Sequence, residues 1–214
     1  YASAIGVPVQ YTDVTASITG PRGRTLGRED TGTQFADMLV TPIAAGYHFD
    51  EVNHLSLSLP IYVPTGAYND NRLANPGQNN YTFMPTVAFT HLDGKGGEFT
   101  LSSGLEFYTE NTATDYRNGN IFTLDALWTH GFGSGWSAGL AAGYIQQVTD
   151  DKGQTADSLN GFRGRSVGAG PVVAWAGKFA DAQANISARW VPEFDTKNRP
   201  EGNGIAVNMT LAFF

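Results

Sequence analysis

The strongest constraint on this chain is an alternation, with a period of two, between oily residues and small or polar ones. It is clearest near the C-terminus, where Ile205, Val207, Met209, Leu211 and Phe213 alternate with Ala206, Asn208, Thr210 and Ala212. Successive side chains of a strand point to opposite faces, so one face of such a segment is oily and the other is not. The same pattern recurs in Asn53–Pro64, with Leu55, Leu57, Leu59, Ile61 and Val63 against His54, Ser56 and Ser58. In Glu98–Thr112, Phe99, Leu101, Leu105 and Phe107 oppose Thr100, Ser102, Gly104, Glu106 and Tyr108.

Alternation bounded by turn residues predicts ten strands. They run over Ala4–Ser17, Phe35–Asp50, Asn53–Pro64, Tyr81–Leu92, Glu98–Thr112, Asn120–Phe132, Trp136–Thr149, Arg165–Gly177, Asp181–Asp195 and Asn203–Phe214. No helix of useful length is predicted. The connections alternate in length. Asp50–Asn53, Asp93–Gly97, Gly133–Gly135 and Gly177–Asp181 are tight turns, whereas Ile18–Gln34, Thr65–Tyr81, Asn111–Gly119, Asp150–Gly164 and Thr196–Asn203 are long and polar. Short turns on one rim and long loops on the other are the pattern of an outer-membrane barrel. The strands also reach the roughly 9–11 residues needed to cross a bilayer at a tilt.

Composition agrees. Charged residues make up only 15% of the 214, against about 25% in soluble proteins. No apolar run approaches the roughly 20 residues of a membrane helix. A mildly negative mean hydropathy of -0.23 is compatible with a barrel, because lipid-facing and lumen-facing residues average out. The absence of cysteine excludes a disulfide scaffold and a thiolate metal site. A formal charge of -7 argues against nucleic acid as a partner. The chain starts at Tyr1 with no signal peptide ahead of it, as a mature or trimmed form would.

On the oily parity no Lys, Arg, Asp or Glu occurs in mid-strand. An Arg or Lys facing lipid at mid-bilayer would cost on the order of 2–4 kcal/mol. The aromatic residues sort to the ends, with Trp128, Phe132, Trp136 and Trp175 near the turn rim and Tyr144 and Trp190 towards the loop rim, as two girdles would. The reading is an all-β fold: a transmembrane antiparallel β-barrel with ten visible strands, forming one domain over residues 1–214. A soluble β-sandwich binding module, with its oily faces packed together, is the alternative architecture.

Several stretches resemble the outer-membrane channel family of phenol meta-pathway (phenol degradation) proteins. They are Phe35-Ala36-Asp37 with Thr41-Pro42, Pro60 to Tyr68, Asn75-Pro76-Gly77-Gln78-Asn79, Asn111 to Asn120, Gly143 to Asp151, Gly170-Pro171, and Asn198 to Gly202. These cover nearly the whole chain in order. The resemblance implies a monomeric twelve-stranded barrel of the bacterial outer membrane, taking up small hydrophobic or aromatic molecules. It also implies a further hairpin ahead of Tyr1. Its partners would be the lipid bilayer, lipopolysaccharide and those substrates; no cofactor is implied. A barrel with a lipid-modifying or structural role is the second reading.

Ten to twelve strands leave a narrow lumen, since about 8 are filled by their own side chains. The inward parity nominates Gln10, Ser56, Ser58, Glu106, Tyr108, Asp125, Gln147, Gln183, Asn185, Arg189, Glu193 and Asn208 as lumen residues. Acids outnumber bases there, so any ionic leak should weakly prefer cations. Pro8, Pro42, Pro60, Pro85, Pro171 and Pro192 interrupt candidate strands. Each must sit at a bulge or leave a ladder bond unmade, which makes them candidates for bends or for a portal through the wall. Catalysis has little support, because His54 with Ser56 or Ser58 is the one nearby nucleophile–base pairing. His48, Asp50, Glu51 and His54 flank one turn, and Asp150, Asp151 and Asp157 share a loop. Both groups read as solvated rim residues, and no metal site is expected.

Overall fold

A computed structural model describes residues 1–19, 25–179 and 182–213. It contains fourteen strand segments rather than ten. Twelve form one antiparallel sheet: β1 (Ala2–Gly6), β4 (Met38–His48), β5 (Asn53–Ser58), β6 (Ile61–Val63), β7 (Thr82–Phe83), β8 (Thr86–Leu92), β9 (Glu98–Tyr108), β10 (Ile121–Gly133), β11 (Trp136–Gln147), β12 (Arg165–Phe179), β13 (Ala182–Lys197) and β14 (Asn203–Ala212). The other two, β2 (Val9–Thr19) and β3 (Thr25–Phe35), pair only with each other. One short helix, α1 (Gln154–Ser158), lies in the loop after β11.

Proline accounts for the difference in strand number. It has no backbone N–H to give to a ladder. The predicted strand Asn53–Pro64 breaks at Leu59-Pro60 into β5 and β6, which pair with successive halves of β4. Tyr81–Leu92 breaks at Met84-Pro85 into β7 and β8, which pair with successive halves of β9. Isolated bonds bridge the breaks, from Leu59 N–H to Ile43 O (3.2 Å), from Met84 N–H to Pro60 O (2.9 Å) and from Leu105 N–H to Pro85 O (3.2 Å). The predicted first strand, Ala4–Ser17, ends its run in the main sheet at Gly6, just ahead of Pro8. Its remainder is β2, and the predicted loop Ile18–Gln34 is largely β3. Pro42, Pro171 and Pro192 stay inside strands, with a bulge where β1 meets β4 and no paired residues between Gly168–Glu193 and Val172–Arg189.

Among the described residues β1 pairs only with β4 and β14 only with β13, so the sheet has two free edges. Phe214 lies outside the described residues.

Burial is inverted relative to a soluble domain. Among the described residues no large side chain is fully buried. The buried apolar positions are mostly alanines, while Leu140 is 60% exposed, Val207 72% and Ile205 75%. A soluble protein rarely leaves so wide an apolar surface uncovered. Large residues cover the outer face and small ones the inner, so the sheet curls towards its inner side. Gly139 and Gly170 mark the tightest places, where an added Cβ would lie 1.8 Å from Trp128 O and 1.9 Å from Trp190 O. Gly139→Val should therefore lower stability by about 1–3 kcal/mol in urea titrations in lipid vesicles. Gly46→Ala, with nothing within 4 Å of the added carbon, should leave the midpoint unchanged.

Candidate lumen and the loops that roof it

Residues directly opposite in neighbouring strands share a face of the sheet. One such row runs Ser102, Asp125, Gly143, Gly168 and Glu193; another runs Glu98, Thr129, Gly139, Val172 and Arg189. Glu106 stands opposite Ile121, Ile121 in turn opposite Gln147, and Asn208 opposite Ser187. Ser56 and Ser58 face Gly46 and Ala44, and Gln183 and Asn185 continue the alternation of Arg189 along β13. The structure thus places these nominated residues, with Tyr108, on the face opposite Phe99, Leu101, Trp128, Leu140, Val207 and Met209. Gln10 departs from expectation: it lies on β2 opposite Gln34, away from the main sheet. A hairpin that leaves the wall alternates just as a wall strand does, which is why the pattern could not separate them.

The inner face borders a series of cavities that share walls. Beneath the loops lies one of about 440 Å³, lined by Asn80, Glu106, Tyr108, Tyr116, Ile145 and Arg199 among others. Ile145 also lines the next, of about 470 Å³, with Asp125 and Glu193. Asp125 in turn borders a third, of about 370 Å³, together with Thr100, Ser102 and Arg189. Arg189 closes the series by lining a fourth, of about 430 Å³, at the turn rim with Lys95, Asn185 and Asn208. Asp125 and Arg189 stand at the joints of this route.

The loop end is roofed by the segment 64–80, and carboxylates hold that roof in place. Asp37 is 6% exposed, and its two oxygens accept from Gly66 N–H (2.9 Å) and Gln78 N–H (2.7 Å), tying the loop's ends together. A Cβ at Gly66 would lie 2.7 Å from Asp37 N, and one at Gly77 2.8 Å from Gly66 C, so only glycine allows this crossing. Asp30 on β3 accepts from Arg72 Nη2 (2.7 Å) and Nε (3.0 Å), and from Leu73 N–H (3.0 Å). Arg72 also donates to Gln34. Asn111 adds a third anchor, donating to Tyr68 Oη (2.9 Å) and accepting from Asn79 Nδ2 (2.9 Å). Asp151 joins the other two loops, accepting from Gly119 N–H (2.7 Å), Gln147 Nε2 (2.7 Å) and the Tyr116 hydroxyl. Gln147 is thus a buried loop anchor as well as an inward residue.

Asp30, Asp37, Arg72 and Asn111 were not nominated from the sequence, and Asp151, read there as a solvated rim residue, is instead bonded to Gly119, Gln147 and Tyr116. The signal was present in Phe35-Ala36-Asp37, Pro64-Thr65-Gly66 and Asn75-Pro76-Gly77-Gln78-Asn79, but only as resemblance. Nothing in alternation or spacing says that Asp37 reaches Gly66 and Gln78.

Trp128, Trp136, Tyr144 and Trp175 share the face of Leu140, and Trp190 that of Ile205. Trp136 pairs with Trp175 near the turn rim, and Trp128 lies opposite Leu140. Trp128 and Trp136 are 53% exposed, Phe132 68% and Trp190 48%, with Tyr144 and Trp175 half-buried. His54 Nδ1 lies 2.7 Å from His48 Nδ1, and His91 bonds Asn53 Oδ1 (2.9 Å). Asp50 is occupied by the turn, accepting from Val52 and Asn53, which lowers its pKa. Asp150 pairs with Arg163 (2.6 Å), which likewise holds it below the ordinary carboxylate range. No group of three metal-ligating side chains occurs among the described residues.

The comparisons follow this geometry. Residues 1–209 match the family model described as "Putative MetA-pathway of phenol degradation", and the chain belongs to that family. No curated protein sequence matches it. The fold is similar to the crystal structure of the COG4313 outer membrane channel from Pseudomonas putida F1, with a TM-score of 0.70 over 97% of this chain and 79% of that one, at 14% identity.

The clasp between Asp30 and Arg72 makes a pH prediction. The hydrogen bonds from Arg72 lower the Asp30 pKa from 3.8 to about 2. A depressed carboxylate contributes its stability above the unfolded-state pKa and loses it as pH falls through the folded one. Pepsin should therefore spare the 64–80 loop at about pH 4 and cut it once the pH drops below about 2. Asp30→Asn should be cut at both.

Proposed function

We propose that the sheet closes into a barrel in the bacterial outer membrane and serves as a monomeric, passive channel for small hydrophobic or aromatic molecules. The carrying observation is the pairing of an exposed oily face with an inner face whose charged residues Asp125, Arg189 and Glu193 border a series of cavities with shared lining residues. Family membership and the shared fold support the same reading. Closure brings the free edges of β1 and β14 together, directly or through a further hairpin, because unpaired backbone groups in hydrocarbon cost several kcal/mol each. Transport needs no cofactor and no energy coupling: solute enters beneath the loops and moves down its gradient. The loop rim faces lipopolysaccharide.

The exit for oily solutes lies sideways, at the bend formed by Pro60 and Pro85. Neither proline gives a ladder bond, and an apolar recess of about 480 Å³ lies beside Pro85, lined by Leu57, Val87, Leu105 and Phe122 with Ser58 and Thr86. Opening requires the bridging bonds of Met84 and Leu105 to part.

In planar bilayers the purified protein should give small, discrete conductance steps. Arg72→Ala, which releases the loop from Asp30, should enlarge them. Proteoliposomes should take up a small aromatic probe faster than empty vesicles, and Pro60→Ala with Pro85→Ala should slow uptake without lowering conductance. Equal uptake by loaded and empty vesicles, with no conductance, would contradict the proposal. Slower uptake together with lower conductance would count against the lateral exit alone.

A further inference from the structure

Among the described residues, neither Asp125 nor Arg189 makes an ion pair within 4.0 Å. The ion pairs of the described residues, Arg72–Asp30, Arg163–Asp150 and Arg165–Asp195, all lie in loops, in the β2–β3 hairpin or at the loop rim. Asp125 on β10 and Arg189 on β13 share one cavity but no N···O contact within 4.0 Å. Between them, β11 and β12 present Ala141, Gly143, Gly168, Gly170 and Val172 to the inner face. Those five positions carry only Gly, Ala and Val, and a cavity of about 370 Å³ lies over Ala141 and Gly143. Each charge also borders the next cavity along the route, Asp125 towards the loops and Arg189 towards the turns.

Opposite fixed charges in a narrow space walled by low-dielectric sheet set up a directed local field. Charged groups at a constriction decide which ions pass. We infer that Asp125 and Arg189 form a dipole-selective site in the lumen: it takes a small solute carrying a donor or cationic group at one end and an acceptor or anionic group at the other. The donor end turns to Asp125 and the acceptor end to Arg189. A zwitterion satisfies both charges at once, whereas a neutral isomer gains less and a simple ion is attracted by one and repelled by the other. The inference rests on the channel reading and extends its solutes from small hydrophobic or aromatic molecules to small dipolar ones.

The test uses the full chain reconstituted in bilayers under a KCl gradient. Asp125→Asn should shift the reversal potential towards chloride, and Arg189→Gln towards potassium, each changing the permeability ratio by about twofold or more. Arg189→Lys keeps the charge and should keep the wild-type value. Liposome swelling then compares glycine with its isomer glycolamide. Glycine should enter about twofold faster through the wild type, and the two should become equal in the Asp125→Asn, Arg189→Gln double variant. Heat-modifiable migration identifies the folded variants to be compared. Reversal potentials that stay fixed, or that move the same way in both single variants, overturn the site, as does a glycine-to-glycolamide ratio unchanged in the double variant. Conduction with unaltered selectivity sinks this site alone; no conduction by the wild type sinks the channel as well.

Discussion

The rest of the molecule depends on backbone hydrogen bonding where water is absent. A strand whose outer side chains meet hydrocarbon cannot leave N–H or C=O groups to solvent, so each must find a partner in the sheet. β9 to β14 pair over most of their length, and glycines occupy inner positions where the curl leaves no room for a Cβ. The prolines are the exceptions to this rule. At Pro60 and Pro85 the chain bends and one neighbouring N–H on each side of the gap carries the connection. A wall built this way has defined weak points, and the sideways exit proposed above rests on them.

The roof obeys a different rule. Loops outside the bilayer have water available, yet here they are fixed by side-chain carboxylates that accept backbone N–H groups. Asp37 and Asp30 each accept two backbone N–H groups, and Asp151 accepts one together with Gln147 Nε2 and the Tyr116 hydroxyl; charge-assisted bonds of this kind are roughly twice as strong as neutral ones. The β2–β3 hairpin, by carrying Asp30 beyond the sheet, converts a strand extension into a handle on the loop 64–80. Mouth and wall are therefore separable: the wall sets which face meets oil, and the clasps set how far the mouth is covered.

Much of this was legible before any coordinates. Ile205 to Phe213 and Phe99 to Phe107 announce their faces, because a period of two is a direct image of strand geometry. The same logic placed Asp125, Arg189 and Glu193 on one side. It failed for Gln10, since alternation persists whether a strand stays in the wall or leaves it. It could not say whether Pro60 and Pro85 would end a strand or bend it, which depends on bonds made by Met84 and Leu105. Asp37, Arg72 and Asn111 were invisible because side chain–to–backbone contacts between distant loops have no period to read.

The claim on which everything turns is that alternate residues of each strand meet lipid and water. The chain contains no cysteine, so single cysteines can be placed at 205 to 209 in turn and spin-labelled in reconstituted vesicles without background. Accessibility to dissolved oxygen should peak at 205, 207 and 209, and accessibility to a water-soluble nickel chelate at 206 and 208. Labels that all report water, on material that stays dispersed as a compact monomer without detergent, would contradict the account.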